Sequence, residues 1–196
     1  MSRPGVGASS PAPLLNIANV LTGLRLLLVP VFLAVLLVEQ GRSVDWRLAA
    51  FGVFAVAAFT DRLDGRIARS RGLVTAFGTV ADPIADKALT GAAWVGLSVL
   101  GLIPWWATIV IMGRELAITL LRLCVLRHGV IPASRGGKAK TVVQSLAIGL
   151  FLLPLEELFG DLVVVTVRWT VLALAIVLTV GSGLDYVLQA MRLRRC

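Results

Sequence analysis

The chain has 196 residues, of which 58% are hydrophobic and only 15% charged, and its mean hydropathy is +0.90. A soluble domain of this size is not so apolar, so the composition points to an integral membrane protein of one domain. The net charge of +8 would suggest nucleic acid in a soluble protein, but these charges border apolar segments; they read as orientation and attraction to anionic head groups, with no nucleic-acid partner.

Residues 1–14 are rich in Ser, Pro, Gly and Ala and are expected to form a disordered cytoplasmic N-terminus. Six membrane helices follow, roughly over 16 or 19 to 38, 46 to 71, 78 to 101, 104 to 128, 138 to 155 and 161 to 191. The expected fold is therefore an all-α bundle of six transmembrane helices over residues 15–191, ending in a basic cytoplasmic tail at 192–196. The two cysteines, Cys124 and Cys196, make neither a metal-ligand pattern nor a disulfide framework.

Arg and Lys set the orientation. Arg62, Arg66, Arg69 and Arg71 lie in the stretch 62–71 that leads from the second helix to the third, Arg127, Arg135, Lys138 and Lys140 in the stretch 127–140 that leads from the fourth to the fifth, and Arg192, Arg194 and Arg195 at the C-terminus. The opposite connections are short or acidic, so both termini should be cytoplasmic. From Leu48 to Asp61 is about 20 Å at 1.5 Å per residue, which puts Asp61 in the inner third of a hydrocarbon layer about 30 Å thick. Arg114 and Glu115 lie about 14 Å in from Trp105 on the same arithmetic. Charges at such depth face a cavity or partners rather than lipid, so a polar cavity opening to the cytoplasm is expected.

The chemistry concentrates in residues 61–86. Asp61 and Asp64 are three apart, Asp82 and Asp86 four apart, which is the spacing of one helix face in each case. Four acids converging in a membrane repel unless cations sit between them or some protonate. Hard divalent ions, Mg²⁺ or Mn²⁺, suit such oxygen ligands, and a pair of them suits diphosphate chemistry. Gly65, Ala68 and Gly78 would let a nucleotide or another helix approach closely. Near Pro83, either Asp82 caps the third helix with Pro83 at its first position, or the helix kinks there.

Plainer readings compete. One makes the acids ion-pair partners of Arg62, Arg66, Arg69 and Lys87 and nothing more; their depth and regular spacing argue against it. The small residues also suit mere helix packing, Arg114–Glu115 a buried structural pair, Arg122 snorkelling, and Lys138 and Lys140 topology alone. All three lysines of the chain nevertheless fall at this cavity, which favours binding. Arg168 has no functional reading from sequence.

The run Asp61-x-x-Asp64-Gly65-x-x-Ala68-Arg69, eight residues, then Gly78-x-x-x-Asp82-x-x-x-Asp86 resembles the complete motif of the CDP-alcohol phosphatidyltransferase family. Asn16 to Arg25, Gly113-Arg114-Glu115 with Arg122, and Gly137-Lys138-Ala139-Lys140-Thr141 further resemble the bacterial members that use sn-glycerol 3-phosphate as acceptor. Ala18 departs from the pattern, which often has Pro there.

The resemblance implies a metal-dependent transferase that moves the phosphatidyl group of CDP-diacylglycerol to that acceptor and releases CMP. It implies two divalent cations on Asp61, Asp64, Asp82 and Asp86, with Asp86 also the general base. Asp61, Gly65, Ala68, Arg69 and Gly78 would line the CDP pocket. Arg114, Arg122, Lys138 and Lys140 would bind the acceptor, with Thr22, Arg25 and Glu115 as further candidates. It also implies a homodimer in a bacterial cell membrane. Acceptors such as inositol phosphate, serine or phosphatidylglycerol remain alternatives within the family, and a divalent-cation transporter is the alternative from another class.

Overall fold

A computed structural model describes the backbone of residues 17–71, 76–125 and 135–194, and side chains over 23–60, 87–121, 137 and 139–191. Six long helices carry the fold: α1 (Ile17–Leu37), α2 (Val44–Arg71), α3 (Ala76–Val99), α4 (Trp105–Val125), α5 (Arg135–Leu152) and α7 (Asp161–Arg194). A 3-10 turn, Val38–Gly41, and the one-turn helix α6 (Glu156–Phe159) complete the described elements, none of which is a strand.

The connections follow from local chemistry. Glu39, Gln40 and Gly41 all take positive φ (51°, 56° and 67°), so the chain leaves α1 through a left-handed turn and re-enters as α2 at Val44. Two of the three carry a Cβ, at a cost of about 1–2 kcal/mol each. Gly101, at φ 72°, closes α3: its N–H donates to Ser98 O and that of Leu102 to Leu97 O, both at 3.0 Å, which satisfies two carbonyls of the last turn. Pro104 then precedes α4, whose first residue is Trp105.

α1 packs on both α2 and α3, while α5 and α4 pack on α7. The core joins Phe32 and Leu36 of α1, Phe54 of α2, Trp94 and Leu97 of α3, Ile111 of α4 and Ile148 of α5. The Phe32 and Phe54 rings meet at 6.0 Å. Close approach depends on small residues: Ala50, Ala57, Ala93, Ala107, Ala147 and Ala175 are wholly buried. At Gly96 even a methyl group would lie 2.8 Å from the Leu36 Cδ2 atom. Polar ties cross the same layers, Ser98 to Thr108 at 2.7 Å and Gln144 to Thr179 at 2.8 Å.

The outside is apolar on every long helix, as shown by Leu27, Phe59, Val99, Ile109, Leu146 and Val177. Water does not favour so continuous an apolar surface; lipid does. Two stretches, Gly23–Gly41 and Asp161–Met191, are by themselves long and apolar enough to cross a membrane. At 1.5 Å per residue α2 spans about 42 Å and α7 about 51 Å, longer than the hydrocarbon layer. One of the two alternatives at Pro83 is excluded. α3 begins at Ala76, so Asp82 is not its N-cap and Pro83 lies within the helix. An interior proline removes one helical hydrogen bond and frees the carbonyl four residues back, a defect that helices in bundles tolerate when neighbouring groups satisfy it.

Candidate active site

The backbone places Asp61, Asp64, Gly65, Ala68 and Arg69 on the C-terminal half of α2, and Gly78, Asp82 and Asp86 on the N-terminal half of α3. Helical geometry puts each aspartate pair on one face of its helix. The side chains of residues 61–86, and those of Thr22, Arg122 and Lys138, lie outside the described residues. Among the described residues no three His, Cys, Asp or Glu side chains converge.

Described side chains resume at Lys87, directly after Asp86. Its ammonium donates to the Thr119 hydroxyl and to the backbone carbonyl of Glu115 at 3.5 Å, tying α3 to α4. Glu115 Oε1 accepts from two cations, Arg114 Nη1 at 3.1 Å and Lys140 Nζ from α5. Arg114 Nη2 donates to Ser182 Oγ of α7 at 2.9 Å. The Arg114 stem lies against the α7 backbone at Gly183, where an added Cβ would be 3.0 Å from Nε and 3.2 Å from Cγ. Four helices thus meet around one Arg-Glu pair.

The cluster sits beside a cavity of about 50 Å³ lined by Lys87, Thr90, Trp94, Glu115, Lys140 and Gln144. Lys140 is only 6% exposed. Among the described side chains of the cluster, three cations (Lys87, Arg114 and Lys140) face one anion, Glu115. Arg114 Nε is buried without a hydrogen-bond partner. A partly buried group of like charges is unfavourable unless an anion joins it, so these described side chains can hold one.

Three acceptor candidates from sequence, Arg114, Glu115 and Lys140, therefore come together. Arg25 is buried on α1. Sequence reasoning missed the parts played by Thr119, Ser182, Gln144 and Gly183, and gave Lys87 as a partner for the acids and as one of three lysines at the cavity, without naming it as an acceptor residue. Its position directly after Asp86, as one of only three lysines, was the available signal.

The other end of the bundle explains Arg168. The C-terminus of α5 presents bare carbonyls, and two arginines close it. Arg168 of α7 donates to Leu150 O at 2.8 Å and Leu153 O at 2.6 Å, and also to Glu156. Arg47 of α2 donates to Phe151 O at 2.8 Å and Leu152 O at 3.2 Å. Cations at a helix C-terminus satisfy both its hydrogen bonds and its dipole. Partial burial alone would raise the Glu156 carboxyl, but the hydrogen bonds from Arg168 and its own backbone, with the charges of Arg168 and Arg47, outweigh this and hold its pKa below the usual carboxylate range. A larger cavity, about 640 Å³, lies here between the ends of α1 and α3 and the start of α2, lined by Gln40, Arg42, Arg47 and Leu100. It is at the opposite end of α2 from Asp61.

The chain matches a family model described as CDP-alcohol phosphatidyltransferase over residues 15–181. It is 54% identical to a probable phosphatidylglycerophosphate synthase of Mycobacterium tuberculosis, over 92% of this chain and 84% of that protein. It is 37% identical to a CDP-diacylglycerol–glycerol-3-phosphate 3-phosphatidyltransferase of Bacillus subtilis, over 87% of this chain and 93% of the relative. A protein of the same name from Rickettsia typhi is 33% identical over 87% of this chain and 94% of its own length. These matches cover both aspartate pairs and the Arg114–Glu115–Lys140 cluster, and the chain belongs to the CDP-alcohol phosphatidyltransferase family.

Proposed function

We propose that the protein transfers the phosphatidyl group of CDP-diacylglycerol to sn-glycerol 3-phosphate, giving phosphatidylglycerophosphate and CMP. The names of its relatives support this reading. The observation that carries the choice of acceptor is the excess of cations over anions among the described side chains around Glu115, which begins at Lys87, one residue after Asp86. An acceptor that brings its own phosphate dianion matches that excess; a neutral alcohol does not.

Four carboxylates at these spacings are a donor set of hard oxygens and fit two Mg²⁺ or Mn²⁺ ions, held by Asp61, Asp64, Asp82 and Asp86. When bound, such ions neutralise the diphosphate and stabilise the departing phosphate oxygen. Asp86 takes the proton from the glycerol 1-hydroxyl as that oxygen attacks the phosphorus next to the lipid, and the bond from phosphorus to the CMP oxygen breaks. Asp61, Gly65, Ala68, Arg69 and Gly78 form the CDP pocket. Arg114, Arg122, Lys138 and Lys140 hold the acceptor phosphate, with Thr22, Arg25 and Glu115 supporting them.

In this reading residues 15–191 form six spans in a bacterial cell membrane. Both termini and the polar cavity face the cytoplasm, residues 1–14 are a disordered N-terminus and 192–196 a basic tail. The acyl chains stay in the bilayer, and the protein is a homodimer. The test is purified protein with labelled CDP-diacylglycerol and a panel of alcohols, with Mg²⁺, Mn²⁺ or a chelator. CMP release that requires both sn-glycerol 3-phosphate and a dication is expected. Release with another alcohol alone overturns the acceptor, and full activity in chelator overturns the metals.

A further inference from the structure

Glu115 is placed oddly for a site that binds a dianion. Its Oε1 atom takes both Arg114 Nη1 and Lys140 Nζ, and its backbone carbonyl takes Lys87 Nζ. A carboxylate beside a phosphate subsite repels the ligand, yet here it is the sole described anion among three cations. Lys140 is buried, and the side chains of Arg114 and Glu115 are only 15% and 21% exposed. Without Glu115 the described side chains of the cluster would be three cations close together, one of them buried, with no counter-charge among them. With it, the described cluster holds two more cations than anions.

We infer that Glu115 is an internal placeholder for the acceptor's phosphate: it neutralises Arg114 and Lys140 while the subsite is empty and yields them when the dianion arrives. The inference rests on the acceptor reading above and specifies the supporting part given there to Glu115: it keeps the donors of the empty subsite in place, and it competes with the phosphate for them. The geometry suits an exchange. Both cations converge on one carboxylate oxygen, so one displacement releases two donors at once. Arg114 remains anchored meanwhile by Ser182 Oγ and by its seat on Gly183, and Lys87 by Thr119. Arg114 also holds a spare buried donor, Nε, that Glu115 does not use. The donors stay in place while their counter-ion changes, which keeps the reorganisation small. The placeholder weakens acceptor affinity in return for a stable empty site and ready product release.

The test compares the wild type with Glu115→Gln in detergent micelles. It reads the thermal midpoint with and without inorganic phosphate, and KM for each substrate. Glu115→Gln should have a lower midpoint without phosphate and a larger rise with it. Its KM for sn-glycerol 3-phosphate should fall about tenfold, the scale of one charge-assisted contact, with KM for CDP-diacylglycerol unchanged. An acceptor KM that is unchanged or higher, with a phosphate-induced rise no greater than wild type, overturns the placeholder. A merely structural Glu115 gives that second result. Should Glu115→Gln fail to fold, Glu115→Asp, which keeps the charge on a shorter arm, must show the same signs at smaller size; the opposite signs overturn the inference. The phosphate arm needs no turnover. A larger phosphate-induced rise in a protein inactive toward glycerol phosphate overturns the acceptor reading and supports an anion placeholder, whereas normal turnover with no change on substitution does the reverse.

Discussion

Arg168→Met isolates the joint at the end of α5. Methionine keeps a stem of similar length and removes every donor, together with the guanidinium that lies 5.8 Å over the Phe151 ring. Two backbone carbonyls, those of Leu150 and Leu153, lose charge-assisted bonds of 2.8 and 2.6 Å, and Glu156 loses its buried counter-ion. An unmet buried acceptor costs about 1–3 kcal/mol. Breaking a buried ion pair from one side costs about 3–5 kcal/mol, though Glu156 is a third exposed and recovers part of this from water. The joint loss should be about 3–5 kcal/mol, a fall of roughly 10 °C in the thermal midpoint. Kinetics should be spared below the transition, because Lys140 is 12 residues from Leu152, about 18 Å along α5. Thermal unfolding in detergent, alongside KM for both substrates, checks both halves. A loss under about 1 kcal/mol, the worth of an exposed ion pair, would refute the account of Arg168, and so would a large change in acceptor KM without a loss of stability.

Glu156, held below its ordinary pKa, should contribute stability that is complete above about pH 4.3 and disappears as pH falls through its lowered folded value. Glu156→Gln should flatten that acid limb of a midpoint-against-pH curve, and an identical curve would dissociate the pair from stability. Gly183→Ala places a methyl 3.0 Å from Arg114 Nε; acceptor KM should rise about threefold or more with KM for CDP-diacylglycerol unchanged, since sub-ångström displacement of a binding group is felt in affinity. Asp86→Asn should retain the thermal midpoint and lose turnover by at least about a hundredfold, the scale of one general base; full activity would reject Asp86 as the base.

The long helices were legible because apolar runs of this length have few alternatives in a membrane. α2 ends at Arg71 as read, and α7 starts at Asp161 as read. Legibility failed where local and tertiary signals part company. Asp82–Pro83 left a helix start and a kink within a helix as open alternatives, and only the start of α3 at Ala76, close to the expected Gly78, excludes the first. The left-handed turn at Glu39–Gly41 has only one glycine to announce three positive φ angles. The pairing of Arg114 with Glu115 was visible from adjacency, whereas the convergence of Lys140 and Ser182 on it required knowing which faces of α5 and α7 turn inward. Arg168 and Arg47 were silent because their partners are main-chain oxygens, which leave no mark in sequence.

That last point has an evolutionary corollary. The joint at the end of α5 addresses atoms that every residue possesses, so drift in the side chains at positions 150 and 153 leaves its acceptors intact, while exchange of either arginine abolishes half of it. Tolerance to change should therefore be lopsided across a single contact, permissive on the receiving strand of backbone and strict at two distant positions on other helices.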